Sequence, residues 1–463
     1  MSFFIKEFLE GKRIVLVGCG REGISTYRFI RSMLPLQPLT IADQDVKLVE
    51  KYPEFSSDAC LEFNVGSSYL SGLDSFDLII KAPGVSFKDL DEQPSREKIS
   101  SQTDLFLRMY GKQVTGITGT KGKSTTSSLI KHIVTKHTDN VVLVGNIGLP
   151  PFEMLQQINE QTIIICELSS HQLQYITVAP HIGILLNLYE EHLDHYNSYL
   201  EYQLSKLNIG LNQLAGDHFI YNHDDVRIGG LLKEYVMPGL LHPFSVLEPV
   251  LNGAWSDFLK MHVTLSGSTS TESLIYDLTS PRYLPGQHNV LNIMAAVLAC
   301  LLNEIPSELI VEGIGDFKGL EHRIEYVGHY HGIRYYNDSI STIPQATIAA
   351  VSTLKEVDTL ILGGFDRGID YSVLIDFLAS SSVRNLIFIG KAGERICKML
   401  SDAGVGISNK RFFMAADFDE VALLARENTR PGSICLLSPA AASYDMFKNF
   451  EERGKVFKEK VSS

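Results

Sequence analysis

Residues 118–125, which read Thr-Gly-Thr-Lys-Gly-Lys-Ser-Thr, have the composition of a phosphate-binding loop. They follow a short apolar strand predicted over 114–117 and precede a helix predicted over 126–135. In that setting glycines let backbone N–H groups close on a phosphate, a lysine reaches the terminal phosphates, and a hydroxyl holds Mg²⁺. The helix N-terminus adds partial positive charge. Because Ile117 stands where the general pattern has its first glycine, the loop is a variant of the P-loop.

Three further polar residues follow apolar strands downstream of this loop. Glu167 comes directly after the run 162–166, His192 lies in the acidic and histidine-rich stretch 187–195, and Lys206 lies in a polar segment. Taken singly, they are typical of a helix-start glutamate, a surface or core histidine and a solvated lysine. Mg²⁺ favours carboxylate and water ligands. Their recurrence after strands therefore favours a Mg²⁺ site beside the loop.

A second glycine-rich turn, Gly18-Cys-Gly-Arg-Glu-Gly23, follows the first predicted strand of the chain. The next strand ends at Asp43, twenty positions after Gly23, which completes a dinucleotide-binding fingerprint. One interpretation is a nicotinamide or flavin site, and hence an NAD(P)-dependent oxidoreductase. The other is a different diphosphate held by the same turn. The second nucleotide loop, about a hundred residues later, leaves the oxidoreductase as a remote alternative.

Strands alternate with helical patterns along the chain, which is typical of the α/β class with mostly parallel sheets. A length of 463 residues predicts about three domains. We expect a Rossmann-like N-terminal domain (1–111), a central P-loop-type mononucleotide-binding domain (112–319) and a C-terminal Rossmann-like α/β domain (320–463). The segment 231–280 is harder to interpret and favours a small β insertion.

The composition is that of a soluble globular protein, with 44% hydrophobic and 21% charged residues. A net charge of −13 argues against nucleic acid as a partner, because binding phosphate backbones needs a basic surface. The six cysteines show no Cys-x-x-Cys spacing, and no apolar run approaches the ~20 residues of a membrane span. We therefore expect a cytoplasmic monomer that binds small molecules and no membrane.

The ordered motifs of the chain resemble those of the Mur ligase family over essentially its whole length. They are residues 119–125, Gly145-Asn-Ile-Gly148, Glu167-Leu-Ser-Ser170, Glu191-His-Leu-Asp194, Lys206, His288-Asn289 with Asn292, Glu321-His-Arg323, Asn337-Asp-Ser339, Ser438-Pro-Ala440 and 447–454. Within the family, the chain is similar to the enzymes that add D-glutamate to UDP-N-acetylmuramoyl-L-alanine in peptidoglycan precursor synthesis. The resemblance implies an ATP-dependent amide ligase that forms an acyl phosphate, which the amine attacks, giving ADP and phosphate.

The resemblance also implies roles for individual residues. The ATP-binding residues would be Gly119, Thr120, Lys121, Gly122, Lys123, Ser124, Thr125, Asn289, Asn292, Arg323 and Asp338. The catalytic residues would be Lys123, Glu167, His192 and Lys206. Two Mg²⁺ ions are expected, with Ser124, Thr125 and Glu167 at the first. His192 and Lys206, the latter as a carbamate, would serve the second. The UDP-substrate would be bound by Gly20, Arg21, Glu22, Gly23, Asp43, Pro83, Gly84 and Asn146.

The expected amino-acid site departs from the family pattern at two places. Enzymes that add D-glutamate usually have Lys-Ala-Thr-Asn after the Asn-Asp-Ser motif, whereas this chain has Ile-Ser-Thr-Ile at 340–343. A lysine that usually follows the Gly-Gly turn is Arg367 here, which keeps the charge and alters the geometry. Thr342, Arg367, Ser443 and Phe450 are the expected amino-acid-binding residues. D-glutamate is the expected substrate, and L-glutamate stays open as the alternative.

Overall fold

The structure is a computed structural model that describes residues 2–192, 194–266, 271–284, 286–404 and 409–463. Leu193, inside the predicted Glu191–Asp194 motif, and 267–270 of the predicted β insertion lie outside the described residues. The chain divides into two compact units, Met1–Phe317 and Lys318–Ser463. None of the helices in the described ranges combines the length and apolar character needed to cross a membrane.

The first sheet of the N-terminal unit is parallel and carries the glycine-rich turn. Its strands are β1 (Ile14–Val17), β2 (Leu39–Asp43), β3 (Leu61–Val65), β4 (Leu78–Lys81) and β5 (Ile99–Ser100). The helices of this part are α1 (Ser2–Leu9), α2 (Arg21–Met33), α3 (Leu48–Lys51), α4 (Pro53–Ser56) and α5 (Gln102–Tyr110). The strand order is β3-β2-β1-β4-β5. The chain leaves β1 where the order reverses, which is where open α/β sheets bind ligands.

The central sheet follows and carries the phosphate loop. Its strands are β6 (Val114–Thr118), β7 (Val141–Gly145), β8 (Ile163–Glu167), β9 (Ile182–Leu185), β10 (His218–Asn222), β11 (Leu240–Ser245), β12 (Ala254–Ser256), β13 (Lys260–Ser266) and β14 (Thr271–Asp277). The helices are α6 (Lys123–Thr135), α7 (Ser170–Leu173), α8 (Tyr199–Leu211), α9 (Val226–Glu234), α10 (Gln287–Leu302) and α11 (Ser307–Asp316). Short 3₁₀ helices lie at Leu73–Ser75, Arg96–Lys98, Gly111–Gln113 and Pro151–Gln157.

The central sheet has the order β14-β13-β12-β11-β10-β9-β6-β8-β7. Strands β6 to β12 pair in parallel with their neighbours in this order, and β13 and β14 are added antiparallel at one edge. The segment 231–280 therefore contains β-strands, as the sequence favours, but they extend the central sheet instead of forming a separate insertion. β6 lies between β8 and β9, so the phosphate loop also leaves its sheet at a switch point.

The second unit, Lys318–Ser463, has its own sheet and helices. The strands are β15 (Glu325–Tyr330), β16 (Ile333–Asn337), β17 (Val357–Gly363), β18 (Asn385–Ile389), β19 (Arg411–Ala415) and β20 (Ile434–Leu437). The helices are α12 (Pro344–Leu354), α13 (Ser372–Ser380), α14 (Gly390–Ala403), α15 (Phe418–Asn428) and α16 (Phe450–Ser462). The order is β15-β16-β20-β17-β18-β19, with β15 antiparallel to β16 and the other pairs parallel.

The first and central sheets share one hydrophobic core. Buried residues of the first sheet, such as Leu16, belong to the same cluster as Val144 and Leu185 of the central sheet. Polar contacts join the same parts: the amide and the hydroxyl of Thr177 both donate to the Asp104 carboxylate, each at 2.7 Å. Because the two sheets form one compact unit, the loops at their carboxyl ends can line one cavity.

Candidate active site

The phosphate loop lies between β6 and α6 in a conformation that needs its glycines. Gly119 has φ 153° and Gly122 has φ 88°, both in the region that L side chains rarely adopt. A Cβ atom on Gly122 would lie 2.4 Å from Oδ1 of Asn292, and one on Gly119 would lie 2.9 Å from Cβ of Leu186. Both glycines are therefore required by the packing around the loop, apart from any ligand.

Side chains from two other elements hold the loop. Asn187, which follows β9, accepts from the amide of Lys121 at 2.8 Å and donates to its carbonyl at 2.9 Å. The hydroxyl groups of Thr120 and Tyr202, on α8, are 2.8 Å apart and hydrogen-bonded. Lys123 Nζ donates to the carbonyl of Gly119 at 2.9 Å and to that of Thr120 at 3.1 Å. The lysine amine thus lies over the loop's own backbone.

The two asparagines of α10 lie against the loop. Asn289 and Asn292 are both buried, and the amide of Asn292 donates to Oδ1 of Asn289 at 3.1 Å. The close approach of Asn292 to Gly122 places this pair beside the phosphate loop. The structure thus brings together the residues predicted for the two ends of the nucleotide.

Glu167 is the last residue of β8 and pairs in register with Ile117 of β6, so it lies beside the start of the loop. It is buried, and its Oε1 accepts from the side-chain amide of Asn146 at 2.8 Å. Its other oxygen, Oε2, is buried and has no hydrogen-bond partner among the described residues. A buried carboxylate oxygen is costly without a partner, and Mg²⁺ is a cation that such an oxygen would bind. Ser124 and Thr125 lie in the first turn of α6, directly after the loop.

Lys206 lies on α8 one turn after Tyr202, and its amine is in contact with the phosphate loop. The side chain is only 2% exposed, and Nζ donates to the carbonyl of Gly119 at 3.0 Å. Burial, and secondarily the charge of Lys123, holds the pKa of Lys206 well below its usual value. The amine is therefore uncharged more readily than that of a solvated lysine.

A group of imidazoles lies beside these residues. His192 has φ 61°, and its ring centroid lies 4.8 Å from that of His171 and 6.1 Å from that of Tyr202. Burial, reinforced by His195 and His192, lowers the pKa of His171 to about 3, so its ring is neutral at neutral pH. Glu191, next to His192, forms an ion pair with Lys121 of the phosphate loop.

Residues from both sheets line a cavity of about 290 Å³. Its wall includes Glu22, Pro83 and Gly84 from the helix and loop around the first sheet. From the helices and loops around the central sheet it includes Lys123, Asn146, His171, Gln172, Glu191, His192 and Lys206. Within the described ranges, no three His, Cys, Asp or Glu side chains are arranged to hold a metal ion by themselves. Hydroxyls, phosphate oxygens and water must therefore complete any Mg²⁺ shell, which is usual for this ion.

The predicted UDP-substrate residues surround the start of α2. Gly20 is the N-cap of this helix, and a Cβ on Gly23 would lie 2.2 Å from the Gly18 carbonyl oxygen. Arg21 Nη2 donates to the carbonyl of Gly148 in the central sheet region at 3.4 Å. Asp43 accepts from the amides of Cys19, at 2.6 Å, and Asp45, at 2.8 Å. Asp43 thus supports the glycine-rich turn, and its contact with a substrate stays a prediction.

In the second unit, Asp338 lies at the carboxyl end of β16 and is nearly enclosed. Its carboxylate accepts from the amide of Ile324 at 3.1 Å and from the hydroxyls of Ser341, at 2.6 Å, and Ser438, at 2.7 Å. Burial raises the pKa of Asp338 to about 6, against the lowering effect of these hydrogen bonds. Arg323 is exposed close by, and its charge also lowers this pKa.

Of the predicted amino-acid-binding residues, Thr342, Arg367 and Ser443 lie in loops that follow strands of the second unit, and Phe450 begins α16. Arg367 Nη2 donates to the carbonyl of Thr342 at 3.0 Å, so these two are in direct contact. Ser443 is buried, and the carbonyl of Phe450 accepts from the hydroxyl of Ser339 at 2.8 Å. Arg453 is buried and connects these segments, because its guanidinium donates hydrogen bonds to Ser339, Ala441 and Ala442.

Several residues at these sites were not singled out from the sequence. His171 lies within the Glu-Leu-Ser-Ser-His run after β8, and Tyr202 lies four residues before Lys206, hence on the same helix face. Asn187 lies two residues after the end of the apolar strand β9. In each case the available signal was a polar side chain within a few residues of a motif residue.

Comparisons with known proteins support the same family. Residues 117–300 match the Mur ligase middle domain. A UDP-N-acetylmuramoylalanine–D-glutamate ligase of Symbiobacterium thermophilum is 33% identical over 459 residues, covering 98% of both chains. The enzyme of the same name from Thermoanaerobacter pseudethanolicus is 30% identical over 458 residues, covering 98% of this chain and 99% of the relative.

Solved structures with low sequence identity share the fold. A UDP-N-acetylmuramate-alanine ligase from Thermotoga maritima aligns with a TM-score of 0.52 and 16% identity, covering 97% of this chain and 99% of that one. A MurF ligase from the same organism, in complex with ADP, aligns with a TM-score of 0.50 and 15% identity, covering 83% and 89%. The full-length relatives, one of them 33% identical, show that the chain belongs to the Mur ligase family, whose fold these structures share.

Proposed function

We propose that this protein is the ATP-dependent ligase that joins D-glutamate to UDP-N-acetylmuramoyl-L-alanine, in the synthesis of peptidoglycan precursors. The observation that carries the proposal is the cavity in which Lys123 and Lys206 face Glu22, Pro83 and Gly84. It brings residues of the phosphate loop and of the glycine-rich turn to one cavity. Relatives that bear the name of this reaction match over essentially the whole chain.

The reaction needs charge neutralisation more than a protein nucleophile. ATP phosphorylates the substrate carboxylate, the amine of glutamate attacks the acyl carbon, and phosphate leaves as the amide forms. Lys123 would exchange its backbone acceptors, the Gly119 and Thr120 carbonyls, for the β- and γ-phosphates. Asn289 and Asn292 would position the adenine end, as the family resemblance implies, and Asn292 also borders the loop at Gly122.

The polar residues around Glu167 are suited to Mg²⁺. Glu167, whose buried Oε2 has no hydrogen-bond partner in the described part of the chain, would hold one ion with the hydroxyls of Ser124 and Thr125. His192 and Lys206 would serve a second. When bound, Mg²⁺ supplies positive charge that neutralises the phosphate oxygens. Asn146 holds Glu167 Oε1 at 2.8 Å and so fixes the direction of the free oxygen.

Lys206 has the environment that a carbamate requires. An unprotonated amine adds to CO₂: an N–C bond forms, one proton leaves, and an anionic carbamate results. The buried amine of Lys206 lies near Lys123, which disfavours a second positive charge at that place. A carbamate there would turn a repelling residue into an oxygen ligand for Mg²⁺.

The domains would divide the substrates between them. Residues 1–111 would bind the UDP part at Gly20, Arg21, Glu22 and Gly23, with Asp43 supporting the turn. Residues 112–319 would bind ATP and carry the chemistry. Residues 320–463 would supply Arg323 and Asp338 to ATP and bind the incoming amino acid. We expect a monomer in the cytoplasm, which size-exclusion chromatography with light scattering and cell fractionation would test.

The amino acid would be bound by Thr342, Arg367, Ser443 and Phe450. Arg367 is exposed and already directed at the loop that carries Thr342, so its guanidinium is available for a carboxylate. D-glutamate is the preferred substrate because the full-length relatives carry that name. L-glutamate stays the alternative because 340–343 and Arg367 depart from the usual pattern.

The test is phosphate release with ATP, Mg²⁺, UDP-N-acetylmuramoyl-L-alanine and one glutamate enantiomer at a time. We expect release and an amide product with D-glutamate. Turnover with L-glutamate alone would replace the D-glutamate assignment, and no turnover with either enantiomer would reject the ligase. Lys123→Met should reduce turnover by more than about a hundredfold. Lys131→Met, an exposed lysine on the same helix, is the matched control and should keep the parent rate.

A further inference from the structure

A buried lysine at the end of β4 has no role in the function described above. Lys81 is only 3% exposed, and it pairs in register with Val17, the residue before the glycine-rich turn. Within the described residues its amine makes one long hydrogen bond, 3.5 Å, to the carbonyl of Ala82. A buried ammonium with so little hydrogen bonding is costly unless an opposite charge compensates it.

The compensating charge is that of Glu22, in the first turn of α2. Lys81 and Glu22 line the same small cavity of about 10 Å³, together with Gln102. Burial raises the pKa of Glu22 to about 6 and lowers that of Lys81 to about 8, while each charge opposes the shift of the other. Between these values both groups are ionised, so each charge stabilises the other at neutral pH.

The two carboxylate oxygens of Glu22 have different surroundings. Its Oε1 accepts from the side-chain amide of Gln172 at 2.7 Å. Its Oε2 is buried and has no hydrogen-bond partner among the described residues, and the same holds for Oε1 of Gln102. Glu22, Gln102 and Lys81 line a space of about 10 Å³, which is roughly the room that one water molecule needs. Lys81 and Glu22 therefore line the same small space, although the described residues show no direct ion pair between them.

Glu22 also lines the large cavity and lies at the N-terminus of α2, where the glycine-rich turn would hold a diphosphate. An uncompensated carboxylate at that place would repel an anionic ligand. We propose that Lys81 is a positioning residue for the nucleotide-sugar: it neutralises Glu22 from the interior side, so that a diphosphate can bind beside this carboxylate. The inference rests on the proposed function, in which this cavity receives the UDP-substrate.

The test is a charge-compensation cycle with Lys81→Met, Glu22→Gln and the double variant. The matched control is Lys47→Met, which removes an exposed lysine from the same sheet region. Binding of UDP is measured by calorimetry, and KM for UDP-N-acetylmuramoyl-L-alanine by phosphate release. We expect Lys81→Met to weaken UDP binding and raise KM by at least about tenfold, with a smaller change in kcat.

The decisive result is the double variant. If Lys81 acts through charge, adding Glu22→Gln to Lys81→Met should return KM to within about threefold of the parent. A lysine that serves packing alone would give a double variant no better than Lys81→Met, and that result would overturn the proposal. Should Lys81→Met fail to fold, Glu22→Gln alone decides: it keeps the backbone amide of Glu22 in the first turn of α2 and removes only the carboxylate charge, so it should bind UDP at least as tightly as the parent. Weaker UDP binding by that variant would contradict the inference.

Failure of the inference and failure of the proposed function give different results. If the parent binds UDP but shows no turnover with either glutamate enantiomer, the ligase assignment fails, while the cycle can still be read from UDP binding. If the parent turns over and the cycle shows no compensation, the role of Lys81 alone is wrong.

Discussion

The replacement of Gly122 by alanine tests the geometry of the phosphate loop. Gly122 has φ 88°, and a Cβ atom there would lie 2.4 Å from Asn292 Oδ1 and 3.3 Å from Leu186 Cδ1. The left-handed backbone costs an L-residue roughly 1–2 kcal/mol. The overlap with a buried side chain adds about 1–3 kcal/mol, as in other overpacked sites. We therefore expect Gly122→Ala to lose about 2–5 kcal/mol of unfolding free energy.

A matched glycine in the same unit separates the two contributions. Gly216 has φ 90°, and a Cβ atom there would have no heavy atom within 4 Å. Gly216→Ala should therefore lose only the backbone part, about 1–2 kcal/mol. Urea unfolding followed by the fluorescence of Trp255, the single tryptophan, measures both variants, because Trp255 lies on β12 of the central sheet.

A second substitution shows whether the overlap is the cause. Asn292→Ala in the Gly122→Ala background removes the atom nearest to the added methyl group, so it should recover part of the lost stability. Equal losses in Gly122→Ala and Gly216→Ala would refute the reasoning, and so would a double variant less stable than the sum of the two single changes.

Three other perturbations test separate features. Arg453→Met removes a buried guanidinium that donates five hydrogen bonds. It should cost about 3–5 kcal/mol in urea unfolding followed by far-UV circular dichroism, with the exposed Lys455→Met as control; a loss below about 1 kcal/mol would contradict this. Burial lowers the pKa of His218 to about 4 and also lowers that of His242. Because the folded-state pKa values lie below the unfolded value of about 6.5, stability should fall as pH decreases from about 6.5 towards 4. His218→Gln should flatten this dependence in Trp255 fluorescence, and an unchanged slope would exclude His218 as the cause. CO₂-free buffer should lower ligase turnover and bicarbonate should restore it, while Lys206→Arg should be inactive in both; full activity of Lys206→Arg would exclude a required carbamate.

The sequence predicts the parts of the fold in which a motif and an apolar run coincide. The strand before the phosphate loop and the strand that ends at Glu167 were predicted within one or two residues. Helix α6 begins at Lys123, three residues before the predicted start, because Gly122 forms its N-cap. The pairing of β11 to β14 with the central sheet could not be predicted, since an alternating pattern does not specify which neighbour a strand contacts.

Residues of the candidate site could be chosen from the sequence where residue type alone suggests chemistry. Glu167 and Lys206 could be chosen because a carboxylate and a lysine recur after strands, and the structure places Lys206 against Gly119 of the loop. Lys81 was not chosen, although a charged residue at the end of a buried strand is a usable signal. Its partner lies 59 positions earlier, at Glu22, and contacts over such distances appear only once the chain has folded.

The hydrogen bonds of Glu22 limit the length of substrate that the cavity can accept. The backbone carbonyl of Glu22 accepts from Gln102 at 3.0 Å, and its side chain accepts from Gln172 of the central sheet region at 2.7 Å. These bonds hold the glycine-rich turn against α5 and against α7, which follows β8, the neighbour of the strand that carries the phosphate loop. The protein should therefore select substrates by their length. An analogue with a shorter or longer link between its diphosphate and its reacting carboxylate would bind at the glycine-rich turn, but its carboxylate would not align with the phosphate loop.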